Sequence, residues 1–268
     1  MIVKRVIDGL EALATIAEPL PEKFEGSSYL ASRQKVGAWA GVSFEEALVL
    51  ARHGWPEGAA KARKLLEKLE VPMLTSVTSE TVYDVTGSYV DVGEYVQGVP
   101  ECMVDFKEDK RRARFASILV SGVVGSNIDP GELINRGVCI AALVDTLERS
   151  NVRCEVSLVF LNNLSGSVLE YTVVLKQAHD PLNLDVLTFG VAHPSCFRRL
   201  VFGAYEHEST AVRSAIGIHQ DGGYGRVVPV PQEEGTIVFQ SPVYGQDWSP
   251  TAALKRINDT ITKFGGAQ

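Results

Sequence analysis

The stretch from residue 115 to residue 177 constrains the fold more than any other part of the chain. Phe115 to Val124 is a short apolar run, bounded by charge on one side and Gly125-Ser126-Asn127 on the other. A continuous apolar run of that length predicts a strand buried on both faces, as in a parallel sheet. Asp129-Pro130-Gly131-Glu132 supplies an N-cap, a proline at the first helical position and an acid in the first turn. The spacing of Leu133, Val138, Ala141, Ala142, Val144, Asp145 and Leu147 predicts a helix ending near Ser150-Asn151. Val152 to Leu161 reads as the next strand, and the turn-forming run Asn162 to Ser167 leads into a third, Val168 to Gln177. So short a turn makes the third strand antiparallel to the second. Strand, helix and strand in this order predict a mixed α/β sheet flanked by helices.

The preceding residues read differently, and the sequence divides into a mainly helical part, 1–110, and an α/β part, 111–268. Val3, Val6, Ile7, Leu10, Leu13 and Ile16 fall at helical spacing, and Pro19 and Pro21 stop that helix. The small, polar stretch Ser27 to Gly41 carries Tyr29 and Trp39 and reads as a loop that packs its aromatics inward. Ser43-Phe44-Glu45-Glu46 is a capping box opening a helix to about His53. Gly54-Trp55-Pro56-Glu57-Gly58 is a corner, and the following helix places Ala62, Leu65, Leu66 and Leu69 on one face, giving an αα-hairpin. Residues 71–106 predict short strands or irregular structure. Farther on, Pro194 opens a helix through Phe197, Leu200, Val201 and Tyr205. Val227 to Val230 and Thr236 to Phe239 read as late strands, and Ser249-Pro250 caps a terminal helix carrying Leu254, Ile257, Ile261 and Phe264.

Composition narrows the function classes. With 45% hydrophobic and 22% charged residues, wholesale disorder is excluded. The 33 acidic against 26 basic residues give a net charge of −7, which argues against nucleic acid as the main partner. The densest basic cluster, Lys107 to Arg114, is diluted by Asp105, Glu108 and Asp109 and reads as a solvated linker. No apolar run approaches the roughly 18 residues that span a bilayer, so no membrane partner is expected. The N-terminus reads as an amphipathic stretch rather than a signal peptide. Cys102, Cys139, Cys154 and Cys196 lie far apart and form no CxxC pair, so reduced thiols in a cytosolic protein are expected.

The segment FASILVSGVVGSNIDPGELINRGVCIAALVDTLERSNVRCEVSLVF, residues 115–160, resembles the opening of a von Willebrand factor type A domain, especially the intracellular bacterial kind. Such domains begin with a buried strand ending in a Ser/Gly loop, continue into a long helix finishing in Leu-Glu, and then an edge strand. Leu147-Glu148 and Cys154 to Phe160 keep that rhythm, and the likeness extends over about 115–264. Metal-binding members carry D-x-S-x-S after the first strand. Here Ser121-Gly122-Val123-Val124-Gly125-Ser126 has no aspartate, and serines alone are poor ligands for a hard cation. The resemblance therefore implies a domain that has lost the metal site, with no cofactor. A second likeness rests on the phrases WAGVSFEEA, GWPEG, DVGEY, GVPEC and NRG. It is to uncharacterised proteins of bacteriophages and related mobile elements, and implies a host cytoplasm or virion setting.

Within this frame the ligand or partner candidates are Ser121, Ser126, Asn127 and Asp129. The loop lies just before a helix N-terminus, at the strand ends where open α/β sheets bind ligands. The competing role for Asp129 is simply to cap the helix. His179 and Asp180, with Asp185 and His193, follow the third strand; with Ser126 they supply the residue types of a Ser/His/Asp arrangement. No GxSxG elbow accompanies them. His207-Glu208-Ser209-Thr210-Ala211 lacks the second histidine of a zincin motif. The glycine loop Asp221 to Arg226 lacks a P-loop Lys-Ser/Thr pair. With no complete catalytic set, the sequence predicts a non-catalytic protein that binds a protein partner or self-assembles. The alternative is a hydrolase or nucleotide-handling enzyme using the Ser126–Asp129 loop with His179 or His193.

Overall fold

A computed structural model describes residues 1–21, 30–33, 38–67, 80–107, 114–150, 152–218, 224–232 and 234–242, with positions 251, 252, 255 and 259. Tyr29, Leu69, the first half of the glycine loop (221–223), most of the basic cluster and the apolar face of the terminal helix fall outside these residues. The chain forms two compact units: Met1–Glu70 with Phe115–Gln268, and Val71–Arg114. This differs from a division near residue 110, because the N-terminal elements share a unit with the α/β part.

The larger unit is built on the strands β1 (Ile2–Asp8), β5 (Arg114–Ser121), β6 (Val152–Leu164), β7 (Ser167–Lys176) and β8 (Thr236–Phe239), in the order β1-β7-β6-β5-β8. β6 and β7 form an antiparallel hairpin, turned by Ser165 and Gly166 at φ 50° and 84°. β5 pairs in parallel with β8, and β1 in parallel with β7. The long helix α5 (Pro130–Arg149) joins β5 to β6. The α/β class, the hairpin and the capped helix thus stand as the sequence predicts.

Three expectations are corrected here. Residues 2–8, predicted helical, form β1, because seven residues pair in register with β7 from Ile2↔Val168 to Asp8↔Val174. Tertiary pairing overrides the local pattern. Gly9, at φ 85°, then turns the chain into α1 (Gly9–Ala17), which buries Leu10, Leu13, Ala14 and Ala17. The strand that the resemblance makes an edge strand, β6, is the middle strand of five, because β7 pairs along its outer side and β1 adds itself beyond β7. Residues 227–230 form no strand: the Gln240 side-chain amide takes both backbone groups of Val230, at 2.9 and 2.7 Å. The helix expected to open at Pro194 does so, and it runs without a break through a π-helical turn, Cys196–Val201, into α7 (Phe202–Glu206). Its apolar residues are those named: Phe197, Leu200, Val201 and Tyr205 are all buried.

The two helices expected here form as α2 (Phe44–His53) and α3 (Pro56–Leu66), but not as a packed αα-hairpin: α2 lies on α1 and on the helix that follows Asn183, and α3 on that same helix and α5. The Ser43 hydroxyl accepts from the Glu46 N–H at 3.1 Å. A helix not foreseen, α6 (Leu184–Ala192), lies along α5. It is apolar on nearly every side, so it carries no amphipathic period. A β-carbon on Gly137 of α5 would fall 2.2 Å from Ala192 Cα, which is why glycine stands at that crossing. The last helix of the unit is α8 (Thr210–Ala215).

The smaller unit carries a separate three-stranded sheet, ordered β2-β4-β3, from β2 (Glu80–Asp84), β3 (Tyr89–Val90) and β4 (Met103–Lys107), with the short helix α4 (Val92–Val96). All pairings are antiparallel, and Tyr83 and Tyr89 flank Val104 from the two sides.

Candidate functional site

The loop from Ser121 to Asp129 leaves β5 and enters α5. Asp129 and the Ser126 carbonyl have local tasks. Asp129 Oδ1 accepts from the Gly131 N–H at 2.7 Å and so caps α5. Ser121 is buried, while Ser126 and Asn127 face solvent. The carbonyl of Ser126 accepts from the Trp39 indole N–H at 3.0 Å. The glycines follow from packing: a β-carbon on Gly122 would strike the Phe160 ring at 2.2 Å, and one on Gly225 would meet the Val124 carbonyl at 2.8 Å.

Two buried arginines complete this end of the sheet. Arg136, on α5, donates to the carbonyls of Ser121, Phe239 and Gln240 at 3.2, 3.1 and 2.8 Å. It thereby ties β5 to β8 where the strands end. Arg198, on the π-helical turn, donates to the carbonyls of Trp39 at 2.5 Å and Ile128 at 2.9 Å, with its guanidinium 4.3 Å from the Trp39 ring centre. Burial lowers both guanidinium groups to about 10, the Asp129 carboxylate opposing the shift for Arg198. The Ser241 hydroxyl, also buried, donates to the Val123 carbonyl.

A divalent cation does not fit this arrangement. Ser121 offers no carboxylate, the Asp129 carboxylate is turned to its helix, and the Arg136 cation lies on the Ser121 carbonyl. Among the described residues no group of three or more His, Cys, Asp or Glu residues is placed to hold a metal.

His179 and Asp180 are at the other end of the unit. Lys176, which closes β7, reaches Glu148 in the last turn of α5 at 2.7 Å, and Asp180 accepts from the Gln177 N–H at 3.2 Å. The 20 residues of α5 therefore put about 30 Å between this pair and the Ser126 loop. His179 is 3.4 Å from Asp180 and largely exposed. A polar cleft of about 590 Å³ opens at the C-terminal end of α5, lined by Asp145, Glu148 and Arg149 of α5, Asn183 and Asp185 before and on α6, and Arg63 of α3, but not by His179 or Asp180. Its charges are largely matched within the chain: Arg149 is 2.9 Å from Asp145, Lys176 is 2.7 Å from Glu148, and Arg63 is 3.7 Å from Asp185.

His193 is the one candidate histidine at the Ser126 end. A β-carbon on Gly41 would be 2.9 Å from its ring, and Gly41 follows the turn that carries Trp39. Its Nδ1 lies 2.7 Å from Ser195 Oγ and accepts from the Ser195 N–H at 3.3 Å. Trp55 stacks edge-on against the ring at 4.7 Å. Burial first, and the Lys61 cation second, lower its pKa to about 4, so the ring is neutral at pH 7. The Ser195–His193 pair has the atoms of a nucleophile and base. Ser195 is fully buried, and the pair fixes the start of the π-helical turn. The four cysteines are buried and unpaired by disulfide, and burial pushes the Cys154 and Cys196 thiols up to about 12.

Sequence reasoning missed Arg136, Arg198 and Ser195. The signal was present in Cys196-Phe197-Arg198-Arg199-Leu200-Val201, where two cations interrupt an apolar run and so must be buried with partners.

On the smaller unit the side chains tell a different story. α4 buries none of its residues, and Val92, Tyr95 and Val96 are 68%, 66% and 77% exposed. Tyr83, Val85, Tyr89 and Val90 are exposed as well. Asp91 caps α4 through the N–H groups of Gly93 and Glu94 and accepts from the Tyr83 hydroxyl at 3.1 Å. The Glu94 N–H, and then that hydroxyl, hold the Asp91 carboxyl below its ordinary range.

In the described residues no helix is long and apolar enough to cross a membrane. No curated protein and no solved structure matches the chain. The family model described as Domain of unknown function (DUF7192) matches residues 3–264. With nearly its whole length matched, the chain belongs to that family.

Proposed function

We propose that this protein acts by binding a protein partner, without catalysis, and that the unit Val71–Arg114 carries the contact surface. The observation behind this reading is α4, which buries none of its residues, so that its two valines and one tyrosine are exposed, as are Tyr83, whose hydroxyl reaches the Asp91 cap of α4, and Val85. Seven of the fifteen large apolar or aromatic side chains exposed among the described residues fall between Tyr83 and Val96. Exposed apolar surface concentrated in this way, with tyrosine prominent, marks interaction sites.

The larger unit then serves as the scaffold. Its run of strand, long helix, strand and hairpin, with the Ser/Gly loop after β5, supports reading it as a von Willebrand A-like domain without the metal site. The likeness of its phrases to those of phage-related proteins supports a host cell or a virion as the setting of such a partner.

A photo-crosslinking residue at Tyr95, compared with one at the exposed Val49 of α2, tests the proposal in the producing cell. A discrete adduct of defined mass is expected from position 95 alone and is lost when Tyr83 and Val96 become serine. Equal labelling at both positions, or none at position 95, overturns it.

A further inference from the structure

The same surface carries a charge pattern that limits what can cover it, and the following inference rests on the protein-binding reading above. Residues 80–107 contain six acidic residues and one basic residue, Lys107. Asp84, Glu101 and Asp105 are exposed, and Asp91 and Glu94 are partly so, interleaved with Tyr83, Val92, Tyr95 and Val96. We infer that this face binds a cationic amphipathic segment of a second protein, one that presents Lys or Arg beside apolar side chains.

Three other occupants are disfavoured by sign. A symmetric contact with a second copy would set the same carboxylates against one another, and like charges juxtaposed across an interface repel. Nucleic acid and anionic lipid carry the charge of the face itself. A partner that is merely apolar would strip water from carboxylates without pairing them. A cationic amphipathic segment avoids each of these: its aliphatic side chains cover Val92, Tyr95 and Val96, and its cations meet the acidic groups between them.

The aromatic groups are also preorganised. The Tyr83 hydroxyl is held by Asp91, which in turn fixes the start of α4. A rigid aromatic contributes more to binding because little rotamer freedom is lost on contact.

The test uses the whole chain and three synthetic amphipathic helices sharing one leucine face, with lysine, glutamine or glutamate on the other. Binding is followed by fluorescence anisotropy as sodium chloride is raised. The lysine peptide is expected to bind, to weaken with salt, and to lose at least about tenfold in affinity to the variant Tyr95→Ser/Val96→Ser, whose charge is unchanged. Glu94→Gln/Glu101→Gln is expected to flatten the salt dependence. Urea midpoints equal to the parent show that these variants fold. Equal binding of the glutamine peptide overturns the cationic partner and leaves the contact surface standing. Lysine-peptide binding that Tyr95→Ser/Val96→Ser leaves intact overturns the surface and, with it, both readings. No binding of the lysine peptide overturns the cationic partner, and the crosslinking at Tyr95 then decides the surface separately.

Discussion

The imidazole Nδ1 of His193 lies 2.7 Å from the hydroxyl oxygen of Ser195 and also accepts the Ser195 N–H, so one ring nitrogen fixes the turn at which α6 ends and the π-helical turn begins. That acceptor role requires the neutral ring. Folding holds the His193 pKa at about 4, below the ordinary value of 6.5. Between these two pH values the unfolded chain holds a proton that the native ring does not. Stability therefore falls as pH drops through this window, by up to about 3 kcal/mol from this group. Urea unfolding of the parent and His193→Asn between those limits checks it. The asparagine retains an acceptor but does not titrate, so its stability should depend less steeply on pH. Parallel pH profiles would show that the ring is not the source.

The crossing of α5 and α6 at Gly137 and Ala192 leaves no room for a methyl group, and the backbone of α6 is the obstacle. Gly137→Ala should destabilise the protein by about 1–3 kcal/mol, despite alanine's better helix propensity. A rise in the urea midpoint would contradict the close approach.

Asp129 caps α5, and its removal tests whether the loop has any further duty. Asp129→Ala should cost about 1 kcal/mol of stability, the usual loss for an N-cap. Crosslinking at Tyr95 should persist in that variant, and equally in Ser126→Ala and His179→Ala. Selective loss of the adduct in a folded variant would return function to the β5 loop or to the His179 pair.

Lys176 is buried and reaches Glu148 at 2.7 Å and the Cys154 carbonyl at 2.9 Å, joining β7, α5 and β6. Lys176→Met removes one partner of a buried ion pair, which typically costs about 3–5 kcal/mol. Thermal or urea unfolding measures it. A loss below 1 kcal/mol would mean that Arg153, now 3.6 Å from Glu148, takes over the charge.

Local chemistry was legible wherever the residues that dictate an element are neighbours in sequence. Asp129-Pro130 opened α5, Ser43 opened α2, Ser165-Gly166 turned the hairpin, and the apolar run after Phe115 became β5. Each depends on capping atoms, backbone torsions or a period within one segment. The candidate site was legible only as a set of residue types. Sequence spacing puts His179 in the same list as Ser126, but a helix of about 30 Å separates their two ends of the unit. Distance along the chain does not encode distance across a sheet.

What the sequence by itself determined is the α/β class, the principal helix caps and the identity of most apolar core residues, because these follow from side-chain chemistry over one or two turns. The tertiary structure decided the rest. Residues 2–8 became a strand only because β7 offered a ladder, and α6 became a helix inside a core that covers it on nearly all sides. Arg136 and Arg198 gained their roles only when distant carbonyls converged on them, and α4 showed its apolar side chains to solvent only once the fold had given them no core to enter. Pairing, burial and exposure are properties of surfaces meeting in space.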